Sequence, residues 1–269
     1  VHHQDPVLER TRQQQMEKTM NEIRIIIDGR ESAYNAPSCF DEMQREQLLA
    51  LCRMSRNGDE TDFYAAMSGI DAETWNSIPF EQRYHVKRLF DFAFTRSPEI
   101  SRQLLPYIEA GGVRMIGFQP NFSNTTWEEF IYADGYMLVG KFHQAAAVLY
   151  RPQREDYNGE TDRRIPFSIY GTDTRMKLFE DVGEDQLLAF LLCYKSLRKR
   201  NLEDKYPNVF ARRPRKPKTS PNQQTPAFSW VSVHRDIMGD QFYDEGKFFA
   251  SNVHVILGRL DREISRGRK

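Results

Sequence analysis

Long apolar runs are missing from this sequence. The longest, 187 to 193, falls far short of the roughly 20 residues that a bilayer-crossing helix needs. Cysteine is scarce: Cys39, Cys52 and Cys193 are far apart, odd in number and without a C-x-x-C pair. Neither a disulfide framework nor a zinc site can be built from them, and reduced thiols in a cytoplasm are expected. Net charge is missing too, since Lys+Arg and Asp+Glu both number 38. No global field therefore draws the chain to nucleic acid or to an anionic membrane. The opening stretch, VHHQDPVLERTRQQQMEK, has no apolar core of the kind a secretion signal requires. The sequons at Asn121 and Asn124 are accordingly expected to be accidental.

Catalytic templates are absent as well. Phosphate cradles need glycines that let backbone N–H groups approach the ligand, and neither G-x-G-x-x-G nor G-x-x-x-x-G-K-[ST] occurs. There is no G-x-S-x-G elbow. His234-Arg235-Asp236 matches the tripeptide of a kinase catalytic loop, but the following Asn, the Gly-rich loop and a later D-F-G are lacking, so it reads as surface charge. His143 and His254 stand without a second ligand at metal-binding spacing and read as helix-end or half-buried histidines. No metal and no cofactor are expected.

What is present is enough apolar material for a core: 39% hydrophobic and 12% aromatic residues, which excludes wholesale disorder. Residues 1–21 are polar and read as a tail. Residues 22–28 are β-branched and close on Asp28-Gly29, which predicts a strand running into a turn. Ser38 is expected to open a helix with Met43, Leu48, Leu51 and Cys52 on its apolar side, and shorter helices follow near 62–67 and Trp75. Pro79 starts a stronger helix carrying Phe80, Tyr84, Leu89, Phe90 and Phe94, ended by Pro98. A further helix over 99–110 is expected, then a strand over 113–118. Thr125/Thr126 followed by Glu128/Glu129 form a capping box for a helix reaching about 142. Segments 145–150 and 165–170 are expected to pair as strands, and 185–205 is a helix apolar on nearly every side, suited to the middle of a bundle.

The fold class that follows is mainly α with a small β-sheet built from 22–28, 113–118, 145–150 and 165–170. Four segments are expected: the tail 1–21, a mainly helical core 22–210, a basic Pro-rich linker 211–226, and a C-terminal helical module 227–269. In that module Trp230, Val233 and Ile237 make one amphipathic stripe, and Val253, Ile256, Leu257, Leu260 and Ile264 make a second.

Three clusters carry possible chemistry. Glu128, Glu129 and Asp134 form the densest acidic group near aromatics, but a helix start accounts for the first two without chemistry. The run from Lys195 to Lys218 carries ten Lys/Arg against Glu203 and Asp204. Within it Arg212, Arg213, Arg215, Lys216 and Lys218 suit a phosphate or an acidic partner, while their interleaved prolines equally suit a solvated linker. Finally, Trp230, Phe242, Phe248 and Phe249 load a module too small to hide them all. They are either packed back on the main domain or displayed as anchors for a protein partner.

The stretches Ile23-Arg-Ile-Ile-Ile-Asp28, Cys39-Phe-Asp-Glu-Met-Gln-Arg-Glu-Gln-Leu-Leu49, Thr126-Trp-Glu-Glu-Phe-Ile-Tyr-Ala-Asp134, Ala147-Val-Leu-Tyr-Arg-Pro152 and, after Trp230, Asn252-Val-His-Val-Ile-Leu257 resemble uncharacterised proteins of Bacteroidetes phages and prophages. The resemblance runs from about 22 to 265; the polar N-terminal extension and the basic linker depart from it. Those proteins look like tail-assembly factors that shield a long hydrophobic helical protein. The resemblance implies a non-catalytic, chaperone-like protein-binding factor in the cytoplasm of a host cell. The alternatives are a structural component of the virion and a nucleic-acid-binding protein using 195–218.

Overall fold

Alternation writes the first element. In β1 (Asn21–Ile27), Ile23 and Ile25 are 3% and 1% exposed, while Glu22, Arg24 and Ile26 face out. The computed structural model describes residues 20–27, 29–159, 162–210, 230, 233 and 245–267. β1 pairs antiparallel with β2 (Arg30–Ala36), Ile27 lying opposite Arg30 and Asn21 opposite Ala36. So tight a connection needs a left-handed residue, which Gly29 supplies at φ +74°. β2 is polar almost throughout, with only Ala36 buried, and gave no periodic signal of its own.

The chain then makes a 3-10 turn at Phe40–Glu42 and five helices: α1 (Arg45–Asn57), α2 (Glu60–Ser68), α3 (Ala72–Ser77), α4 (Phe80–Leu89) and α5 (Phe92–Thr95). β3 (Tyr107–Ala110) and β4 (Val113–Ile116) follow, then α6 (Trp127–Leu138), α7 (Phe142–Leu149) and β5 (Arg151–Pro152). The remainder is α8 (Ile169–Phe179), α9 (Glu184–Arg198), a π-turn at Lys199–Glu203, α10 (Pro207–Phe210), α11 (Glu245–Ala250) and α12 (Val253–Gly267). The protein is mainly helical with a small β content, as the sequence predicts.

The make-up of the β structure differs from expectation. The described strands form two sheets, β1-β2 and β3-β4-β5, rather than one. Residues 145–150 are not a strand: Ala145 to Leu149 end α7. All six are buried, and a short buried run carries no periodicity to separate strand from helix; the three alanines tip it to helix. Segment 165–170 is not a strand either, and only the isolated bridge Gln153–Arg164 lies near it. The helix expected over 99–110 is replaced by an extended approach to β3, consistent with Pro106 removing a backbone donor. Ser38 does not open α1; its N–H and hydroxyl both donate to Glu42. α1 starts later, capped reciprocally by Gln44 and Gln47.

Two compact units emerge, one from Val1–Pro106 with Gly183–Ser196, the other from Tyr107–Val182 with Leu197–Lys269. In the first, α1 buries Leu48, Leu49, Leu51 and Cys52. An aromatic cluster sits beside it, Tyr64 stacking on Trp75 at 5.5 Å and Phe63 meeting Phe90 at 6.4 Å. Arg53 bridges Asp62 and Asp185 at 2.9 and 3.3 Å. Burial pushes the thiol of Cys52 up to about 12, with a lesser push from Cys193, and burial pushes Cys193 up to about 12 as well. Both are protonated at neutral pH and unsuited to nucleophilic chemistry.

In the second unit the C-terminal residues are built into the fold rather than appended to it. Thr126 and Asn252 form an antiparallel bridge. Trp127 N–H donates to Ser251 O at 2.8 Å and Val253 N–H to Thr125 O at 3.0 Å. α12 buries Val253, Ile256, Leu257 and Leu260. Its Gly258 lies against the Tyr206 ring, and Asp261 accepts from Asn208 N–H at 2.8 Å. The expected partition into a 22–210 core and a separate 227–269 module is therefore not the division the packing makes. Of the expected tail 1–21, residues 1–19 lie outside the described residues, as does the linker 211–226, while Asn21 already belongs to β1. A protease cut within 211–226 should leave both pieces co-eluting on native gel filtration. A free 22–210 fragment melting like the intact protein would contradict this packing.

Candidate functional site

The second unit concentrates its charge chemistry around α6 and the end of α7. Thr126 caps α6: its hydroxyl accepts from Glu129 N–H at 3.2 Å, and Glu129 Oε2 accepts from Thr126 N–H at 2.7 Å. This is the capping box read from the sequence. It leaves Glu129 Oε1, on a fully buried residue, to accept from Arg151 Nη1 and to pair with Arg164 Nη2 at 3.3 Å.

Arg151, Arg164 and Arg175 are 1%, 1% and 6% exposed. Each donates to one of the last carbonyls of α7. Arg175 Nε reaches Ala147 O at 3.1 Å, Arg151 Nη1 reaches Val148 O at 3.4 Å, and Arg164 Nη1 reaches Leu149 O at 2.8 Å. These oxygens have no partner within the helix and sit at the negative end of its dipole, so cations belong there. Asp162 takes Arg151 Nη2 at 3.1 Å and Arg164 Nη2 at 2.8 Å. Burial raises the Asp162 carboxyl, but its hydrogen bond and charge pairing with Arg164 outweigh that and hold it below the usual range. Arg164 Nη2 also reaches Asn124 O at 2.6 Å, and Asn124 in turn donates to Asp162 at 2.9 Å.

Arg175 is different. It pairs with no carboxylate among the described residues; its Nη2 donates to Thr172 Oγ1 at 2.7 Å. Burial, and then the charge of Arg151, push its pKa down to about 10, still protonated at neutral pH. The buried Arg151 Nε has no acceptor among the described residues. Donors thus outnumber acceptors in this cluster.

Asp134 lies further along α6, 4% exposed, and holds the C-terminal segment. It accepts from Trp230 Nε1 at 2.5 Å and pairs with Arg198 at 2.7 Å. The Trp230 ring packs edge-on against Trp127, Phe130 and Phe210 at 5.6, 5.0 and 5.6 Å. Acidic residues that looked like one cluster in sequence therefore divide. Glu129 serves the arginines and Asp134 the tryptophan. Glu128 stays half-buried, its carboxyl raised by burial and by Glu129.

The sequence-predicted partner residues are dispersed. Trp230 is 3% exposed and is core, not a displayed anchor, because its ring and its N–H are both used inside the unit. Phe248 and Phe249 lie half-buried in α11. Phe242, Arg212, Arg213, Arg215, Lys216 and Lys218 lie outside the described residues. Sequence reasoning passed over the buried arginines. Their one signal was an apolar run ending abruptly in Arg151-Pro152, and their partners are too distant in the chain to suggest themselves. It also missed that Phe80 is 75% and Tyr84 53% exposed.

His254 joins the C-terminal helix to the loop before α6. Its Nε2–H donates to Asn121 O at 2.6 Å, and its Nδ1 faces the Tyr206 hydroxyl at 2.9 Å, an arrangement that suits the neutral ring. Among the described residues no helix is long and apolar enough to cross a membrane, and no His/Cys/Asp/Glu group could hold a metal ion. Comparison with family models, curated proteins and solved structures finds no match.

Replacing Glu129 with Ala strands three buried guanidiniums with one carboxylate and removes the Glu129 half of the α6 capping box. The expected loss is about 3–5 kcal/mol in denaturant unfolding, and a loss below about 1 kcal/mol would refute the cluster's structural role. Burial lowers the His254 pKa in the folded state, so the unfolded chain binds more protons and stability rises with pH. Its contribution should be present above about pH 6.5, the ordinary value, and fall away as pH drops through the folded pKa. His254→Gln should flatten the denaturation midpoint between about pH 7.5 and 5; an unchanged pH profile would be contrary evidence.

Proposed function

We propose that this protein is a non-catalytic, chaperone-like protein-binding factor that acts in phage tail or virion assembly. The phage setting rests on the sequence resemblance. Protein binding rests on the solvent face of α4. Phe80 and Tyr84, one turn apart, are 75% and 53% exposed, and the same unit exposes Phe94 at 49% and Leu89 at 38%. Large apolar side chains scattered singly need no explanation, but a run of them on one short helical region marks an interaction surface.

This surface is rigidly mounted. On the opposite side of α4, Gln82 accepts from Ile26 N–H at 3.2 Å and donates to Ile26 O at 3.3 Å, tying the helix to the β1 backbone. Val86 is buried on that side, and Phe94 leans on Phe63 at 5.3 Å. Aromatic groups held this way lose little freedom on binding, which is how aromatic residues come to dominate interfaces. The apolar stripe of a long helical partner is the natural counterpart. The absence of catalysis is supported by the commitment of Glu129 and Asp134 to arginine and tryptophan and by thiols held protonated at Cys52 and Cys193.

Phe80→Ser/Tyr84→Ser in the full chain should reduce co-purification of the partner from native cells more than tenfold, about 1.4 kcal/mol, measured by quantitative mass spectrometry. Stability should change by no more than about 0.5 kcal/mol, as for other surface positions. Undiminished capture would refute this surface. Recovery of the chain in purified particles would favour the structural-component alternative.

A further inference from the structure

We propose that the free edge of β1 pairs with β1 of a second copy of this chain, antiparallel about a two-fold axis at Ile23. Along a strand the backbone groups point alternately to one side and the other. Ile27 and Arg30 close the hairpin opposite each other, so Ile27, Ile25 and Ile23 bond to β2. Ile26, Arg24 and Glu22 therefore turn their N–H and C=O groups away from it. Gln82 marks that direction independently: its amide accepts from Ile26 N–H at 3.2 Å and donates to Ile26 O at 3.3 Å, as a neighbouring strand would. Beyond Ile26 the edge is open. The outward backbone groups of Arg24 and Glu22 meet no partner among the described residues. Such an edge is a template for another strand.

Charge complementarity selects the occupant. The side chains of Glu22 and Arg24 stand on the solvent face of β1, well exposed, with Arg24 Nε on Glu22 Oε1 at 2.8 Å. A strand that carries opposite charges two residues apart is complementary to itself when paired antiparallel. With Ile23 on the axis, Glu22 lies opposite Arg24 of the second copy, and Arg24 opposite Glu22 of the second copy. Both pairs are of the outward kind, so each exchanges both of its backbone hydrogen bonds. The side chains then alternate in sign around the axis, each carboxylate flanked by a guanidinium of its own strand and one of the other.

The neighbouring registers are disfavoured. An axis at Arg24 sets arginine against arginine and Glu22 against Ile26, whose edge Gln82 already occupies. An axis at Glu22 sets carboxylate against carboxylate, and like charges directly opposite are destabilising. The far edge of β2 presents Glu31, Ala33 and Asn35, with no opposite charge for a copy to meet. Pairing of β1 with itself also closes, because the same patch serves both copies and the contact ends at two.

The full chain is its own probe, followed by sedimentation equilibrium from micromolar to submillimolar concentration. The expected result is a reversible monomer–dimer equilibrium. Arg24→Pro should weaken the dimer at least tenfold while the monomer still melts cooperatively. The N–H it removes does not serve the β1–β2 ladder, and proline is accepted on an edge strand. Because proline can also strain the strand, exchange of the charges is the decisive second test. Glu22→Arg should weaken association at least tenfold, since the change acts twice across the axis, and Glu22→Arg/Arg24→Glu should restore it. A chain that stays monomeric throughout would overturn the proposal. So would a dimer indifferent to Arg24→Pro and Glu22→Arg, or a double variant that fails to regain association. A dimer lost in Phe80→Ser/Tyr84→Ser but kept in Arg24→Pro would place the contact on α4 and overturn it equally. The edge pairing does not rest on the partner-binding reading of α4.

Discussion

Three guanidinium groups buried against the last carbonyls of one helix govern how the second unit is put together. Arg151, Arg164 and Arg175 sit on Val148, Leu149 and Ala147 of α7. Charges so enclosed cost several kcal/mol each unless they are paired and hydrogen-bonded. The pairing partners are therefore constrained in place. Glu129 must start α6 beside the cluster, and the chain after β5 must return so that Asp162 can reach both Arg151 and Arg164. Such a network adds little net stability over an apolar core of equal volume, but it specifies which loop goes where. The start of α6 then receives the C-terminal segment through the Thr126–Asn252 bridge. Asp134, on the same helix, receives Trp230.

Legibility in the sequence followed the range of the interactions. The α6 capping box was legible because its partners lie three residues apart. β1 was legible from Ile23 and Ile25, and the buried helix α9 from its all-round apolar pattern. Segment 145–150 was ambiguous because every residue in it is buried, which erases periodicity. Trp230 was misjudged because its acceptor lies 96 residues away, and without that acceptor a tryptophan in a small module looks displayed. The arginine cluster drew on Glu129, Arg151, Asp162, Arg164 and Arg175, a spread that no local motif encodes. The exposure of Phe80 and Tyr84 was equally hidden, since helical spacing alone cannot say which face the core takes.

Function divides along the same lines. In the first unit an apolar helix face is held out on a rigid mount, and in the second the carboxylates are consumed in holding the fold. That distribution fits a protein whose work is recognition.

The claim on which this account most depends is that the C-terminal helix is a structural member of the second unit. Native-state hydrogen exchange reads it directly. The amides of α6 and α12 are predicted to open with one common free energy, and Arg164→Met should lower both by the same amount, as expected of a single cooperative unit. Exchange of the α12 amides that is faster than that of α6 and indifferent to Arg164→Met would contradict it.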